Sequence, residues 1–223
     1  SIDLMYAIPG LAEKTWVDSI QKAIDASADH ISAYELTVEP ATVFGVWSKK
    51  GKISPVADDN AARQSELLTS SLEDEGFEQY EVSNYCKSGM ESRHNSSYWK
   101  QESYLGIGPS AHSYNLKTRQ FNISNNYAYV RSVLKGIIPC ETETLSHTDQ
   151  VNEYLLTTLR TKWGSDLDKL NEEFKYDILS RHGPFIEGFI ARKLAVLDRR
   201  VLSLTKAGRL LADKITADLF LLF

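Results

Sequence analysis

The chain has 223 residues, of which 42% are hydrophobic, and its formal net charge is -5. This acidic balance argues against a nucleic-acid-binding protein, which normally presents a basic face. No apolar run approaches the ~20 residues that span a bilayer, and the first residues lack the basic n-region and the cleavage site of a signal peptide. Cys86 and Cys140 stand far apart and fit neither a disulfide framework nor a CxxC metal site. We expect a soluble, cytoplasmic, mixed α/β protein.

The first forty residues predict a βαβ unit. Residues 1–7 are apolar apart from Asp3, which is typical of a parallel strand covered on both faces. A helix is predicted over residues 13–28 from its apolar face, and a second buried strand over 30–36. Because a domain rarely opens directly on an interior strand, we expect the chain to be a fragment of a longer protein.

The following residues predict one further helix and one further strand. Residues 46–59 are polar and turn-rich, and Asp58 or Asp59 is a candidate N-cap for a helix that reaches Glu75. A third strand is predicted over residues 77–85. The stretch between Cys86 and Asn126 is rich in Gly, Ser, Asn and aromatic residues, and an irregular loop region is expected there.

Helical patterns dominate the rest of the chain. Four helices, a β-hairpin and a final helix are predicted in that order, which suggests a winged-helix-like module with a packing or lid role. The helices occupy 125–135, 148–162, 166–173 and 182–195, with breaks that include Gly183-Pro184, the hairpin occupies 194–205, and the last helix follows it. The predicted domains are residues 1–142 and 143–223.

Two residues of the predicted parallel strands are candidate ligand contacts. Asp3 is an acid on an otherwise apolar strand, and Thr37 follows the second strand. Ligands bind at the carboxyl ends of parallel strands, so the pair would lie together at one rim. The alternatives are an Asp3 that faces solvent or pairs with a lysine, and a Thr37 that only terminates its strand.

The segment HNSSYW, residues 94–99, is a candidate site for a planar ligand. His94 offers an axial iron ligand, and Tyr98 and Trp99 offer flat aromatic faces. In the alternative interpretation, the two aromatic rings fill the core and His94 caps a turn. The nearby GIGPSAHS, residues 106–113, is a weak candidate for a phosphate loop because the third glycine of GxGxxG is missing.

Several phrases occur together in one order along the chain and resemble a known family. They are DLMYAIPG (3–10), HISAYELTVEP (30–40), FEQYEVSNY (77–85), RHNSSYWKQESYLGIGPSAHSY (93–114) and LTKAGRLLADKITADLF (204–220). The chain resembles the radical S-adenosylmethionine proteins related to oxygen-independent coproporphyrinogen III oxidase, and most of all their HemW branch of haem chaperones. HNxxYW is the specific part, because it is similar to the haem-binding motif of that branch.

The resemblance implies a fold class and a set of cofactors. The fold is the C-terminal portion of a partial TIM-type barrel followed by a mostly helical, winged-helix-like domain. The family carries a [4Fe–4S] cluster on CxxxCxxC, which this sequence lacks, so the ligating cysteines would lie in a missing N-terminal part. S-adenosylmethionine and haem are the other implied cofactors.

The resemblance also implies roles for individual residues. Asp3 and Met5 match positions that contact S-adenosylmethionine, and Thr37 matches a position near a second such molecule, where the oxidase usually has Ala. Haem binding is implied for the HNxxYW residues His94, Asn95, Tyr98 and Trp99, with His94 as the ligand of the haem iron.

Three functions follow as hypotheses. The first is a haem chaperone that passes haem to a haem-accepting partner protein. The second is an oxygen-independent coproporphyrinogen III oxidase, which would be an oxidoreductase of porphyrin biosynthesis. The third is an inactive fragment without its cluster. Peripheral membrane contact, the oligomeric state and the identity of the haem acceptor stay open.

Overall fold

The computed structural model describes residues 1–222, and these form two compact units. The first unit comprises residues 1–92, and the second comprises the described residues from 93 onward. The predicted domains, 1–142 and 143–223, rest on a change in sequence character and not on compactness. Those limits stay a prediction.

The first unit contains a four-stranded sheet and three helices. Its strands lie in the order β1-β2-β4-β3, and β1 pairs with β2 in parallel, which confirms the predicted βαβ unit. The elements in chain order are β1 (Ile2–Tyr6), α1 (Glu13–Asp25), β2 (His30–Glu35), α2 (Val43–Lys49), α3 (Asp58–Asp74), β3 (Glu78–Glu81) and β4 (Asn84–Cys86).

The core of this unit lies between the sheet and the helices α1 and α3. Strand β1 alternates, so that Ile2, Leu4 and Tyr6 pack against the core while Asp3 and Met5 are exposed. The prediction that β1 is covered on both faces is therefore wrong in this structure. The buried members of the core are Trp16, Ile20, Ala23, Ile31, Ala33, Leu68, Leu72, Phe77 and Tyr85.

The predicted third strand is in fact a tight antiparallel hairpin. Its turn is fixed by the carboxylate of Glu81, which accepts hydrogen bonds from the Ser83 backbone N–H at 2.9 Å and from Asn84 Nδ2 at 2.5 Å. As a result β4 runs antiparallel to β2, and the single strand predicted over 77–85 is wrong.

Two local details of the helices also differ from the prediction. The predicted N-cap of α3, Asp58 or Asp59, is wrong, because the helix already includes both residues and its N-cap is Ala57, which makes no side-chain cap. Helix α2 overlaps the start of the segment predicted as a turn-rich connection, residues 46–59. It begins where the Thr42 hydroxyl accepts a hydrogen bond from the Gly45 backbone N–H at 3.1 Å.

The second unit opens with a short helix and a three-stranded antiparallel sheet of order β5-β6-β7. The elements are α4 (Arg93–Trp99), β5 (His112–Tyr114), β6 (Thr118–Asn122), α5 (Asn126–Val133) and β7 (Cys140–Thr144). Helix α5 confirms the helix predicted over 125–135, whereas α4 and the start of the sheet fall in the region expected to be irregular. No side chain of α5 is buried within the described part of the chain.

The remainder of the second unit confirms the predicted order of helices, hairpin and helix. The elements are α6 (His147–Leu159), β8 (Ser165–Asp166), α7 (Leu167–Phe174), α8 (Ile178–Ala191), β9 (Ala195–Asp198), β10 (Val201–Leu204), α9 (Lys206–Arg209) and α10 (Ala212–Asp218). Strands β8, β10 and β9 form an antiparallel sheet in that order, as in a winged-helix-like module.

Two helix boundaries in this part were not anticipated. Pro184 lies inside α8, because Asp177 caps the helix upstream through the backbone N–H groups of Leu179 and Ser180. The predicted last helix is interrupted between α9 and α10.

Among the described helices, none combines the length and the apolar character needed to cross a bilayer.

Candidate functional site

Helix α4 carries the HNSSYW segment and places His94 beside Tyr98. Residues four apart lie on the same face of a helix. The Tyr98 hydroxyl is 3.1 Å from His94 Nε2, and the two rings meet edge to face with centroids 4.9 Å apart. The His94 side chain is exposed, and Nδ1 makes no hydrogen bond with any residue that the structure describes.

The end of α4 is defined by backbone geometry. Gln101 adopts a left-handed conformation with φ 57°, its N–H donates to the Tyr98 carbonyl, and the Glu102 N–H donates to the Ser97 carbonyl. This pair of bonds is a Schellman motif, which satisfies carbonyls at the end of a helix. The motif ends α4 directly after the HNSSYW segment, and the backbone then turns back towards Tyr98.

A line of aromatic rings extends from His94 through the second unit to β5. Tyr104 packs edge to face on Tyr98 with centroids 4.7 Å apart, and Tyr114 follows at 5.9 Å. Tyr104 and Tyr114 also exchange two backbone hydrogen bonds of 2.9 Å. Burial raises the pKa of both phenols, so they are neutral near pH 7. We call His94, Tyr98, Tyr104 and Tyr114 the aromatic ladder.

The sequence reasoning missed the two inner members of the aromatic ladder. Tyr104 lies beyond the end of α4, and Tyr114 lies on β5, so no helical spacing connects them with Tyr98. Only the density of tyrosines in this region was a signal.

Trp99 does not share the face of His94 and Tyr98. It lies one position further round α4, where the Arg160 guanidinium stands 5.8 Å from its ring centroid. Its indole Nε1 is buried without a hydrogen-bond partner in the described chain. Tyr98 and Trp99 therefore lie on different faces of α4, and their predicted contacts with a planar ligand stay predictions. Asn95, between them in sequence, is half-buried.

The glycine-rich GIGPSAHS segment approaches its own backbone. A Cβ atom on Gly106 would lie 2.1 Å from the His112 carbonyl oxygen, and the Gly106 N–H donates to the Ser113 hydroxyl at 3.0 Å. The close approach that these glycines permit is thus an internal turn. The segment provides no sign of a phosphate-binding loop.

The register of β1 and β2 separates Asp3 from Thr37. Asp3 is opposite Ser32, and Thr37 comes five residues later, beyond the end of β2. At about 3.3 Å per residue this is roughly 16 Å along the strands. The prediction that both residues lie at one rim is wrong, because Asp3 lies near the start of β1. The predicted contacts of each with S-adenosylmethionine stay predictions.

Asp3 and Met5 share the exposed face of β1, and Tyr34 lies opposite Met5 with 42% exposure. Asp3 forms no ion pair with any residue in 1–222, so the alternative in which it pairs with a lysine is not met. A free carboxylate beside apolar and aromatic side chains suits a nucleoside, since carboxylates accept hydrogen bonds from ribose hydroxyls.

The residues that the structure describes fit haem but not an iron–sulfur cluster. They contain no group of three His, Cys, Asp or Glu side chains that could hold a metal ion. Cys86 is buried, Cys140 is partly exposed and on another strand, and the sequence has no third cysteine, so cluster ligation by several cysteines has no basis here. Haem iron needs only one axial protein ligand, and an exposed imidazole above a tyrosine ladder can supply it.

Comparison with known proteins gives a consistent result. Residues 145–211 match the HemN C-terminal domain. The chain is 32% identical to "Heme chaperone HemW" of Bacillus subtilis over 96% of the chain and 57% of that protein. For the protein of the same name from Mycobacterium tuberculosis the identity is 33%, over 98% of the chain and 54% of the relative. The chain therefore spans a little over half the length of these curated relatives.

A solved structure has a similar fold. The solved structure described as "Coproporphyrinogen III oxidase (HemN) from Escherichia coli is a Radical SAM enzyme" matches with a TM-score of 0.77. The match covers 98% of the chain and 54% of that structure at 14% identity, which shows the fold alone. The chain is thus similar over nearly its whole length to proteins named HemW, has the fold of the corresponding part of HemN, and matches the HemN C-terminal domain over residues 145–211.

Proposed function

We propose that the chain is part of a haem chaperone, which binds haem through His94 and passes it to a haem-accepting protein. The supporting observation is the exposed His94 imidazole on α4, held against Tyr98 at the start of the aromatic ladder. The relatives that share about a third of its sequence are named haem chaperones.

The residues of α4 have separate tasks in this proposal. His94 supplies the nitrogen ligand, and the bound group supplies the iron. Tyr98 competes for the same Nε2 atom, because a nitrogen that shares a proton with a hydroxyl cannot at once donate its lone pair to a metal. Tyr104 packs against Tyr98 and Tyr114 packs against Tyr104, so the two rings hold Tyr98 in place. Asn95 and Trp99 are further proposed contacts.

A chaperone must release what it binds, and the structure offers a reason for easy release. A neutral hydrogen bond contributes about 0.5–1.5 kcal/mol net. Re-formation of the Tyr98–His94 bond would offset part of the energy lost when the iron leaves. His94 is also exposed, so an acceptor protein can reach it without unfolding of the second unit.

The decisive experiment is a haem titration followed by the Soret band. The protein, its His94→Ala variant and a His112→Ala variant are compared, because His112 is another exposed histidine of the second unit. We expect saturable binding that is lost in His94→Ala and kept in His112→Ala. Equal binding by all three proteins would remove His94 from the site and with it the observation on which the proposal depends.

Oxygen-independent coproporphyrinogen oxidase is the second candidate, favoured by the fold match to HemN. That activity requires a [4Fe–4S] cluster, and the two cysteines of this chain do not fit one. The chain alone is therefore expected to produce no 5'-deoxyadenosine from S-adenosylmethionine under reducing conditions. Formation of that product would favour the oxidase.

A contact with S-adenosylmethionine is proposed for Asp3 and Met5, and a second one for Thr37. The support is the exposed carboxylate of Asp3 on the same face of β1 as Met5. Asp3→Asn should weaken binding of S-adenosylmethionine in calorimetry, and Asp18→Asn, on the exposed side of α1, is a matched control. Unchanged affinity in Asp3→Asn would exclude this residue.

The setting of the protein is part of the proposal. The partners are haem and a haem-accepting protein, nucleic acid is not a partner, and the location is the cytoplasm. The net charge of -5 supports the statement that nucleic acid is not a partner.

A further inference from the structure

The first unit contains a cavity of about 420 Å³ that the haem proposal does not use. It lies where the chain leaves β1, between the N-terminal ends of α1 and α3. Its wall combines an apolar part with a polar part. The apolar part is Ile8, Pro9, Leu11, Pro55, Val56 and Ala57, and the polar part includes Glu13, Asn60, Arg63 and Gln64.

Both helices that begin at the cavity lack a side-chain cap, and in α3 the Asn60 N–H donates to the Ala57 carbonyl, which leaves the N–H groups of Asp58 and Asp59. The N-cap residues are Ala12 for α1 and Ala57 for α3, and neither has a side chain that can accept a hydrogen bond. The first N–H groups of a helix have no partner within the helix, and the helix dipole makes this end electropositive. Two uncapped ends at one cavity favour an anionic group there.

Gln64 gives an independent indication of a ligand. The residue is only 8% exposed, yet it lines the cavity. Its Oε1 accepts a hydrogen bond from the Ala7 backbone N–H at 2.8 Å, which fixes the orientation of the amide because only the oxygen can accept. Its Nε2 therefore remains as a donor, and it has no partner among residues 1–222.

Arg63 is the cationic residue of the cavity lining, and its guanidinium keeps N–H groups that form no hydrogen bond with the described residues. Glu13 is the single acid of the lining, and its two oxygens accept from Arg63 Nε and Nη2 at 2.5 and 3.1 Å. The remaining N–H groups of the guanidinium stay available, because arginine carries five. Asp58 and Asp59, in the first turn of α3, are outside the lining.

We propose that this cavity binds a small amphipathic anion, with a carboxylate or phosphate head and an apolar body. The head would accept hydrogen bonds from Gln64 Nε2, from Arg63 and from the two helix ends. The body would lie against Ile8, Leu11 and Val56. A volume of this size lies within the range of about 300–1,000 Å³ that is usual for small-molecule sites.

The test is a titration of the ¹⁵N-labelled chain followed by two-dimensional NMR. Hexanoate and monohexyl phosphate carry the two head groups, and 1-hexanol carries none. Saturable shifts of the Gln64 side-chain amide with hexanoate, with monohexyl phosphate or with both would support the proposal and identify the head. Equal shifts with 1-hexanol, or none with any probe, would overturn it.

Two variants test the donors directly. Gln64→Glu keeps an oxygen for the Ala7 N–H but replaces the Nε2 donor by a negative acceptor, so affinity should fall at least about tenfold without loss of fold. Ala57→Ser adds an N-cap hydroxyl to α3, so the thermal midpoint should rise while affinity falls severalfold. Unchanged affinity in Gln64→Glu, with the fold confirmed by its thermal midpoint, would refute the site independently of any result on His94.

Discussion

The two sheets that begin each unit are covered in different ways. The sheet of β1–β4 packs against α1 and α3, where Trp16, Ile31 and Leu72 have at most 1% of their surface exposed. In the sheet of β5–β7, the connection from β6 to β7 contains α5, which buries no side chain among the described residues, and β7 is almost entirely exposed. Stability is therefore concentrated in one sheet, whereas the aromatic ladder lies next to the thinly covered one.

The difference in packing should appear first in core truncations. Leu72→Ala removes a side chain that is 0% exposed in the core of the first unit, and about 2–5 kcal/mol of unfolding free energy should be lost. Val130→Ala, on α5 and 55% exposed, should change it by less than about 0.5 kcal/mol. Urea denaturation measures both, and similar losses would break the comparison.

The packed part of the second unit begins at α6, and its start can be weakened selectively. Ser146 forms a capping box, since its hydroxyl accepts from the Asp149 N–H at 3.2 Å and Asp149 accepts from the Ser146 N–H at 2.9 Å. Ser146→Ala should cost about 1 kcal/mol of stability. Ser124→Ala, at an exposed serine, is the control, and equal stability of the two variants would contradict the role of the box.

A substitution in the aromatic ladder, which lies next to the thinly covered sheet, should change the affinity for haem and not the free energy of unfolding. Tyr98→Phe removes the hydroxyl that competes for His94 Nε2, so haem affinity should rise roughly two- to tenfold. Tyr127→Phe, at a tyrosine 77% exposed on α5, should leave it unchanged. A Soret titration decides the matter. Weaker binding by Tyr98→Phe would mean that the hydroxyl supports the bound state.

The smallest expected effect concerns pH and the first unit. His30 is 8% exposed and lies 2.8 Å from the Tyr80 hydroxyl, and burial lowers the pKa of the imidazole. The unfolded chain, whose histidines titrate near pH 6.5, then binds more protons than the folded chain below that pH. Stability should therefore decline as the pH falls through about 6.5.

A variant assigns this pH dependence to its source. Burial also lowers the pKa of His182, which contributes with the same sign. His30→Asn should reduce the slope of stability against pH between 7.5 and roughly 5, and the double variant His30→Asn/His182→Asn should reduce it further. The two variants are compared by denaturation at several pH values. A slope unaffected by His30→Asn would exclude this histidine as the source.

Local patterns were sufficient for much of the fold. The apolar run of β1 and the apolar face of α1 predicted the βαβ unit, although β1 in fact alternates, and the hairpin of β9 and β10 was recognised from its turn. The hairpin of β3 and β4 was missed, because it depends on a hydrogen bond from Ser83 to the Glu81 carboxylate. The start of α8 was predicted too late, at residue 182, because Gly183-Pro184 was interpreted as a break. The helix in fact begins directly after its N-cap residue Asp177.

The candidate site was predictable in its residue types but not in its arrangement. His94 and Tyr98 were identified from HNSSYW, and their contact follows from helical spacing once α4 is known. The separation of Trp99 from them follows from the same helix. Tyr104 and Tyr114 depend on pairing across a loop, and Gln64 depends on a contact with Ala7, so neither is encoded by a local motif.

The exposed edge of β7 has a consequence for self-association. An uncovered strand edge invites pairing with a second molecule through its free backbone groups. Glu141 and Glu143 alternate along β7, so an antiparallel approach of two such edges would bring carboxylates of like charge close together. Charge repulsion between two β7 edges therefore disfavours self-association at the least covered part of the sheet. Acidification, or the loss of both carboxylates, would remove that repulsion.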